Sequence, residues 1–78
     1  MTTDDLRARG FELHTRLSSF FGYCARCGTY RGHHWFQSPP IDGTLGGQVA
    51  GCDECGHVAE ADARWARNNF PIVKARTA

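Results

Sequence analysis

At 78 residues the chain makes one domain at most, and a domain of that size buries too little apolar surface to be comfortably stable without a staple. Its four cysteines supply candidates for one, and a formal net charge of +1 gives no bulk attraction to nucleic acid. No apolar run approaches the roughly 20 residues that a helical bilayer span needs, so no membrane partner is expected.

The N-terminal stretch MTTDDLRARG is acidic and polar where a secretory signal is basic and then apolar. A soluble, cytoplasmic protein is therefore expected, in a reducing compartment where paired cysteines bind metal or do redox chemistry more often than they form disulfides. Over residues 1–22 the pattern predicts a helix. Leu6, Leu13, Leu17 and Phe20 share one helical face, Thr2 or Thr3 is placed to cap the start, Asp4 and Asp5 sit near its positive end, and Gly22 suits the position after the last turn. Two features pull the other way: Phe11, Leu13, Thr15 and Leu17 alternate as a strand would, and Gly10 inside a helix costs ~1 kcal/mol relative to alanine.

Residues 23–70 hold two matching stretches, YCARCGTY and GCDECGHV. In each, two cysteines three positions apart are followed by glycine, a spacing that lets one tight turn aim both sulfurs at a single ion. The glycine suits the positive φ that such a turn requires. Between them, TYRGHHWF suits a pleated surface, SPPIDGTLGG is dense in turn formers with Asp42-Gly43 fit for a tight turn, and QVAG leads back. The prediction is a β-hairpin with a long tip that carries the two knuckles. Cys24, Cys27, Cys52 and Cys55 then complete a tetrahedral shell, and C-x2-C-x24-C-x2-C is a strong pattern for one structural zinc ion. His33, His34 and His57 are substitute ligands that four adequate cysteines make unnecessary.

After Cys55, the stretch HVAEADARWARNNF has helical spacing at Ala59, Ala63, Ala66 and Phe70 and ends before Pro71, which predicts a short C-terminal helix. Residues 71–78 form a tail or an edge strand. The fold class expected is thus a small α+β metal-stabilised domain. Its core is drawn from Leu6, Phe11, Leu13, Leu17, Phe20, Phe21, Tyr23, Trp35, Phe36, Val49, Trp65, Phe70, Ile72 and Val73.

The doubled CxxCG with a hairpin between resembles the zinc-ribbon and treble-clef group of four-cysteine zinc domains. That resemblance covers residues 23–66 and rests on Cys24, Cys27, Cys52, Cys55, Gly28 and Gly56. It implies a structural ion and an interaction surface, with the helix after the second knuckle leaning toward the treble clef. Rubredoxins share the two knuckles around iron, and Tyr23 and Tyr30 beside the first are similar to theirs. Iron-based electron transfer is the alternative reading, although Asp53 stands where a rubredoxin knuckle has proline.

Four cysteines close a zinc shell and leave no position for a reacting water, and no nucleophile or phosphate-cradling motif accompanies them. A non-enzymatic interaction module is expected, with no small-molecule substrate. Two stretches are candidate partner surfaces. The stretch RCGTYRGHHWF, in and after the first knuckle, combines Arg26, Tyr30, Arg31, His33, His34 and Trp35 without an acid. In the second, Arg64 and Arg67 share a helical face beside Trp65, with Lys74 and Arg76 following in the tail. Both suit a protein partner or a nucleic acid, the protein being favoured by the balanced net charge.

Overall fold

The computed structural model describes residues 1–73. Helix α1 (Thr3–Ala8) opens the chain, four strands follow as β1 (Glu12–Leu13), β2 (Phe20–Cys24), β3 (Thr29–Gln37) and β4 (Gln48–Cys52), and α2 (Glu60–Asn69) closes it.

The N-terminal helix is one and a half turns long and does not continue to residue 22. Gly10 ends it. At φ 92° this residue takes the left-handed conformation, and it donates its N–H to Arg7 O at 3.0 Å while Phe11 N–H reaches Leu6 O at 3.0 Å. These two bonds make a Schellman stop, and its accompanying apolar contact is supplied by Leu6 and Phe11, both buried in one cluster. Gly10 thus plays the terminating part expected of Gly22, which lies instead inside β2. The start of α1 is flanked by Thr2, which makes no side-chain capping bond.

The strand tendency of the next segment prevails. Strand β3 is the centre of a four-stranded antiparallel sheet. Phe36 pairs with both Leu13 and Val49, and His33 with both Phe20 and Cys52. Hence β4 lines one edge of β3, while β1 and β2 share the other. The expected hairpin is β3 and β4, and its tip narrows at an Ile41–Thr44 bridge around Asp42 (φ 52°) and Gly43 (φ 78°). Two consecutive positive φ values are the signature of the type I′ turn that an Asp-Gly pair favours.

The core consists of Leu6, Phe11, Phe36, Val49, Val58, Ala63, Ala66 and Phe70 with Trp65 packed on its side. Phe11 meets Phe70 edge-on at 5.1 Å. Seven residues expected there are exposed instead: Leu13, Leu17, Phe20, Phe21, Tyr23, Ile72 and Val73. Once α1 stops at Gly10, no helical face remains to carry Leu13, Leu17 and Phe20 inward. Small residues take part in their place. At Gly51 a side chain would collide with Thr3, so α1 lies directly on β4 there. Of the tail, residues 71–73 are exposed, with Val73 N–H bonded to Ala8 O at 2.8 Å. Lys74, Arg76 and the remainder of the expected tail or edge strand lie outside the described residues.

No helix among the described residues is long and apolar enough to cross a membrane.

Candidate metal centre

Each knuckle begins at the last residue of a strand. Cys24 ends β2 and Cys52 ends β4, both register against β3, and the turns that follow carry Cys27 and Cys55. The turns are built alike. Gly28 N–H bonds Cys24 O and Gly56 N–H bonds Cys52 O, each at 2.8 Å, with the glycines at φ 73° and 74°. Because the backbone folds back at the glycine, both thiols of a pair point the same way. The sequence repeat is therefore a structural repeat.

The four Sγ atoms all lie within 4.8 Å of one another. Across the pairs, Cys24 and Cys55 are 3.5 Å apart and Cys27 and Cys52 are 3.9 Å apart. A tetrahedron of sulfurs around zinc has edges of about 3.8 Å, from a Zn–S bond of about 2.3 Å. The donor set therefore fits one ion, and among the described residues no histidine or carboxylate joins the cluster. No disulfide links these cysteines.

The protonation of the thiols follows from their surroundings. The Cys27 backbone N–H, 3.4 Å from the Cys24 sulfur, lowers that thiol to about 7 against the effect of burial, with the other three cysteines helping. For Cys52 burial is the largest single influence and acts upward, but the N–H groups of Cys55 and Glu54 and the Cys55 thiol act downward, and the net effect lowers the thiol. Cys55 is pushed up to about 12, first by burial and then by its three thiol neighbours, which outweigh the His57 N–H. A shared sulfur pocket thus ionises readily at its first thiol and resists at its last. A divalent cation held by these four cysteines would supply the charge that completes ionisation, and its uptake would release protons.

Arg31 belongs to this centre. The adjacent Cys27 thiol raises its affinity for its proton, with Glu54 and Cys52 adding to the effect. Its Nε is buried and has no hydrogen-bond partner among the described residues. Four thiolates around a divalent ion would leave two excess negative charges, which the Arg31 guanidinium beside Cys27 would offset. Replacing it with an apolar group, Arg31→Leu, is expected to weaken metal affinity about tenfold, as loss of an outer partner of a metal ligand does. Competition against a chromogenic chelator measures this, with exposed Arg26→Leu as the control that leaves affinity unchanged.

The other candidate residues do not gather on one surface. Arg26 is exposed on the first knuckle. Along β3 the side chains alternate, so Arg31, His33 and Trp35 take one face and His34 the other. His33 is buried, stacks on Phe20 at 5.0 Å, and donates from Nδ1 to Arg31 O at 2.9 Å. Exposed His34 bonds Asp53 at 2.6 Å and so ties β3 to the second knuckle, which also docks through Asp53 N–H on Gly32 O at 2.9 Å. Trp35 is half-buried against Phe20. On α2, Arg64 is exposed and Arg67 pairs with Glu60 at 3.3 Å.

Tyr30, from the candidate surface beside the first knuckle, belongs to an exposed aromatic group that also takes in Phe21 and Tyr23, two residues expected in the core. Phe21, Tyr23 and Tyr30 are 74%, 59% and 58% exposed and touch one another, Phe21 stacking on Tyr30 at 6.1 Å and Tyr23 meeting Tyr30 edge-on at 5.7 Å. The missed signal was the alternation through residues 20–24 as a strand, which sends Phe21 and Tyr23 away from the cysteines.

Comparison with known proteins returns no match, whether to a family model, a curated protein or a solved structure.

Proposed function

We propose that this chain is a non-enzymatic interaction module, folded around one structural zinc ion held by Cys24, Cys27, Cys52 and Cys55, that binds a protein partner. The observation that carries the reading is the closed sulfur cluster, in which four donors lie within 4.8 Å of one another. A catalytic ion needs an open position and this donor set leaves none. The role of the metal is then to hold the two knuckles, and with them the ends of β2 and β4, in a fixed relation. The helix that follows the second knuckle supports the treble-clef side of the resemblance.

Electrostatics and surface composition favour protein over nucleic acid. With four thiolates and a divalent ion, the formal charge of +1 becomes about −1. Asp53 and Glu54 add acid beside the second knuckle, and the exposed residues Phe21, Tyr23 and Tyr30 are of types enriched at protein interfaces. Capture from the native lysate at low and high salt, with and without nuclease, tests this reading. Retention of one protein across salt and nuclease treatment is expected. Retention that disappears with nuclease and falls steeply with salt would assign nucleic acid instead. A coloured, iron-containing preparation with a reversible one-electron wave would move the same four ligands to electron transfer.

A further inference from the structure

The two edges of the sheet are treated differently. Outside β4, Gly51 bridges Val58, Cys52 N–H bonds His57 O at 3.1 Å, and Thr2 bridges His57 in turn. That edge is closed. Outside β2, among the described residues, the backbone of residues 20–23 makes no hydrogen bond beyond its ladder with β3. An antiparallel edge strand points alternate N–H and C=O groups outward, and natural sheets guard such edges with charge or proline. Residues 17–25 contain neither.

A cleft of about 430 Å³ lies over the same strand, on the face that carries Phe20 and Gly22. Its floor is the Phe20 ring stacked on His33. Gly22 makes room for that ring, Ala50 adds little bulk beside it, and Glu60 and Asp62 from the first turn of α2 form the wall. Among the described residues no lysine or arginine lines the cleft. Glu60 is engaged by Arg67, whereas Asp62 has no ion-pair partner among the described residues. The cleft therefore presents carboxylate and an aromatic face together, the pairing that suits a lysine or arginine side chain.

Building on the protein-partner reading above, we infer that β2 is a docking edge for an extended segment of a partner protein, added as a further strand, with a Lys or Arg side chain entering the cleft between the Phe20 ring and Asp62. Main-chain bonds along β2 supply the affinity, and the side chain that falls over the cleft supplies the selectivity. Alternate residues of an added strand project over that face, so one basic residue with uncharged neighbours meets the need. A second copy paired through its own β2 answers it poorly, because residues 17–25 bring no cation to Asp62. The acidic wall likewise disfavours a phosphate backbone.

The test is a titration of the zinc-loaded, isotopically labelled protein, followed by amide chemical shifts. The probes are the capped heptapeptide Thr-Val-Thr-Arg-Thr-Val-Thr, the same peptide with Glu for Arg, and the Arg peptide N-methylated at alternate backbone positions. Shifts are expected to concentrate on the amides of β2 and the first turn of α2, with the Arg peptide binding about fivefold tighter than the Glu peptide. N-methylation on the outward-bonding positions is expected to abolish binding, and Asp62→Asn to remove most of the Arg preference while leaving the rest of the spectrum in place. Equal affinity for Arg and Glu peptides, undiminished binding after N-methylation, or shifts confined to other elements would overturn the inference. So would dilution-dependent shifts of the β2 amides without peptide, which would put a second copy on the edge, or β2 shifts caused by an oligothymidine. If the peptides fail while one zinc per chain and cooperative unfolding persist, the edge alone is misassigned; loss of the zinc itself would instead count against the underlying reading.

Discussion

In excess chelator the domain is expected to lose its cooperative unfolding transition and most of its far-ultraviolet signal, and Cys52→Ser is expected to do the same without chelator. The reason lies in what the sulfur cluster joins. The first knuckle terminates β2, the second terminates β4 and leads into α2, and outside the cluster these parts share, among the described residues, a core of eight buried residues, two of them alanines. Structural zinc contributes on the order of 10 kcal/mol or more to folding in small domains. A domain has a net stability of about 5–15 kcal/mol, with the smallest near the lower end. Losing the metal term therefore removes the folded state. Cys52 is the more telling position to change because its side chain is buried and its backbone belongs to the β3–β4 ladder. A serine there breaks the shell while keeping nearly the same shape. An unchanged spectrum with a cooperative transition in excess chelator would contradict this.

Leu6→Ala is expected to cost about 3 kcal/mol, within the range measured for deleting a fully buried leucine. Leu6 has no exposed surface, joins α1 to the core, and its carbonyl receives the Schellman bond from Phe11. Leu17→Ala, at a position 42% exposed, is expected to change stability by no more than about 0.5 kcal/mol. Thermal or denaturant unfolding of the two metal-loaded variants reads the difference directly. Similar losses at both positions would restore the long amphipathic helix in which Leu6 and Leu17 share a face, and would remove β1 and β2 from the account.

That pair of leucines also marks where the sequence was legible. The knuckles were readable because their chemistry is local: a spacing of three, a glycine with positive φ, and a repeat of the same device. The Asp42-Gly43 turn and the stop of α2 before Pro71 were readable for the same reason. Residues 9–22 were not, because their apolar positions satisfy helical and strand spacing alike, and the deciding element is nonlocal: β3 offers an edge that a strand can join. Gly10 was the local clue, weighed as a cost inside a helix when its role is to end one. The candidate site divides in the same way. The four ligands were visible from spacing, whereas Arg31 reads on the page as one more exposed cation and only the register of β3 sets it beside Cys27. His33 and His34 are adjacent in sequence and on opposite faces of the sheet, one buried against Phe20 and one paired with Asp53. The pleat separates what the sequence groups.

Fold and proposed function alike depend on four sulfurs sharing one ion. X-ray absorption at the zinc edge, on protein whose metal content has been measured by native mass spectrometry, tests this most directly. One zinc per chain with a shell of four sulfurs at about 2.3 Å is the predicted result. A metal-free folded protein, or a shell in which nitrogen or oxygen replaces one of Cys24, Cys27, Cys52 and Cys55, would contradict it.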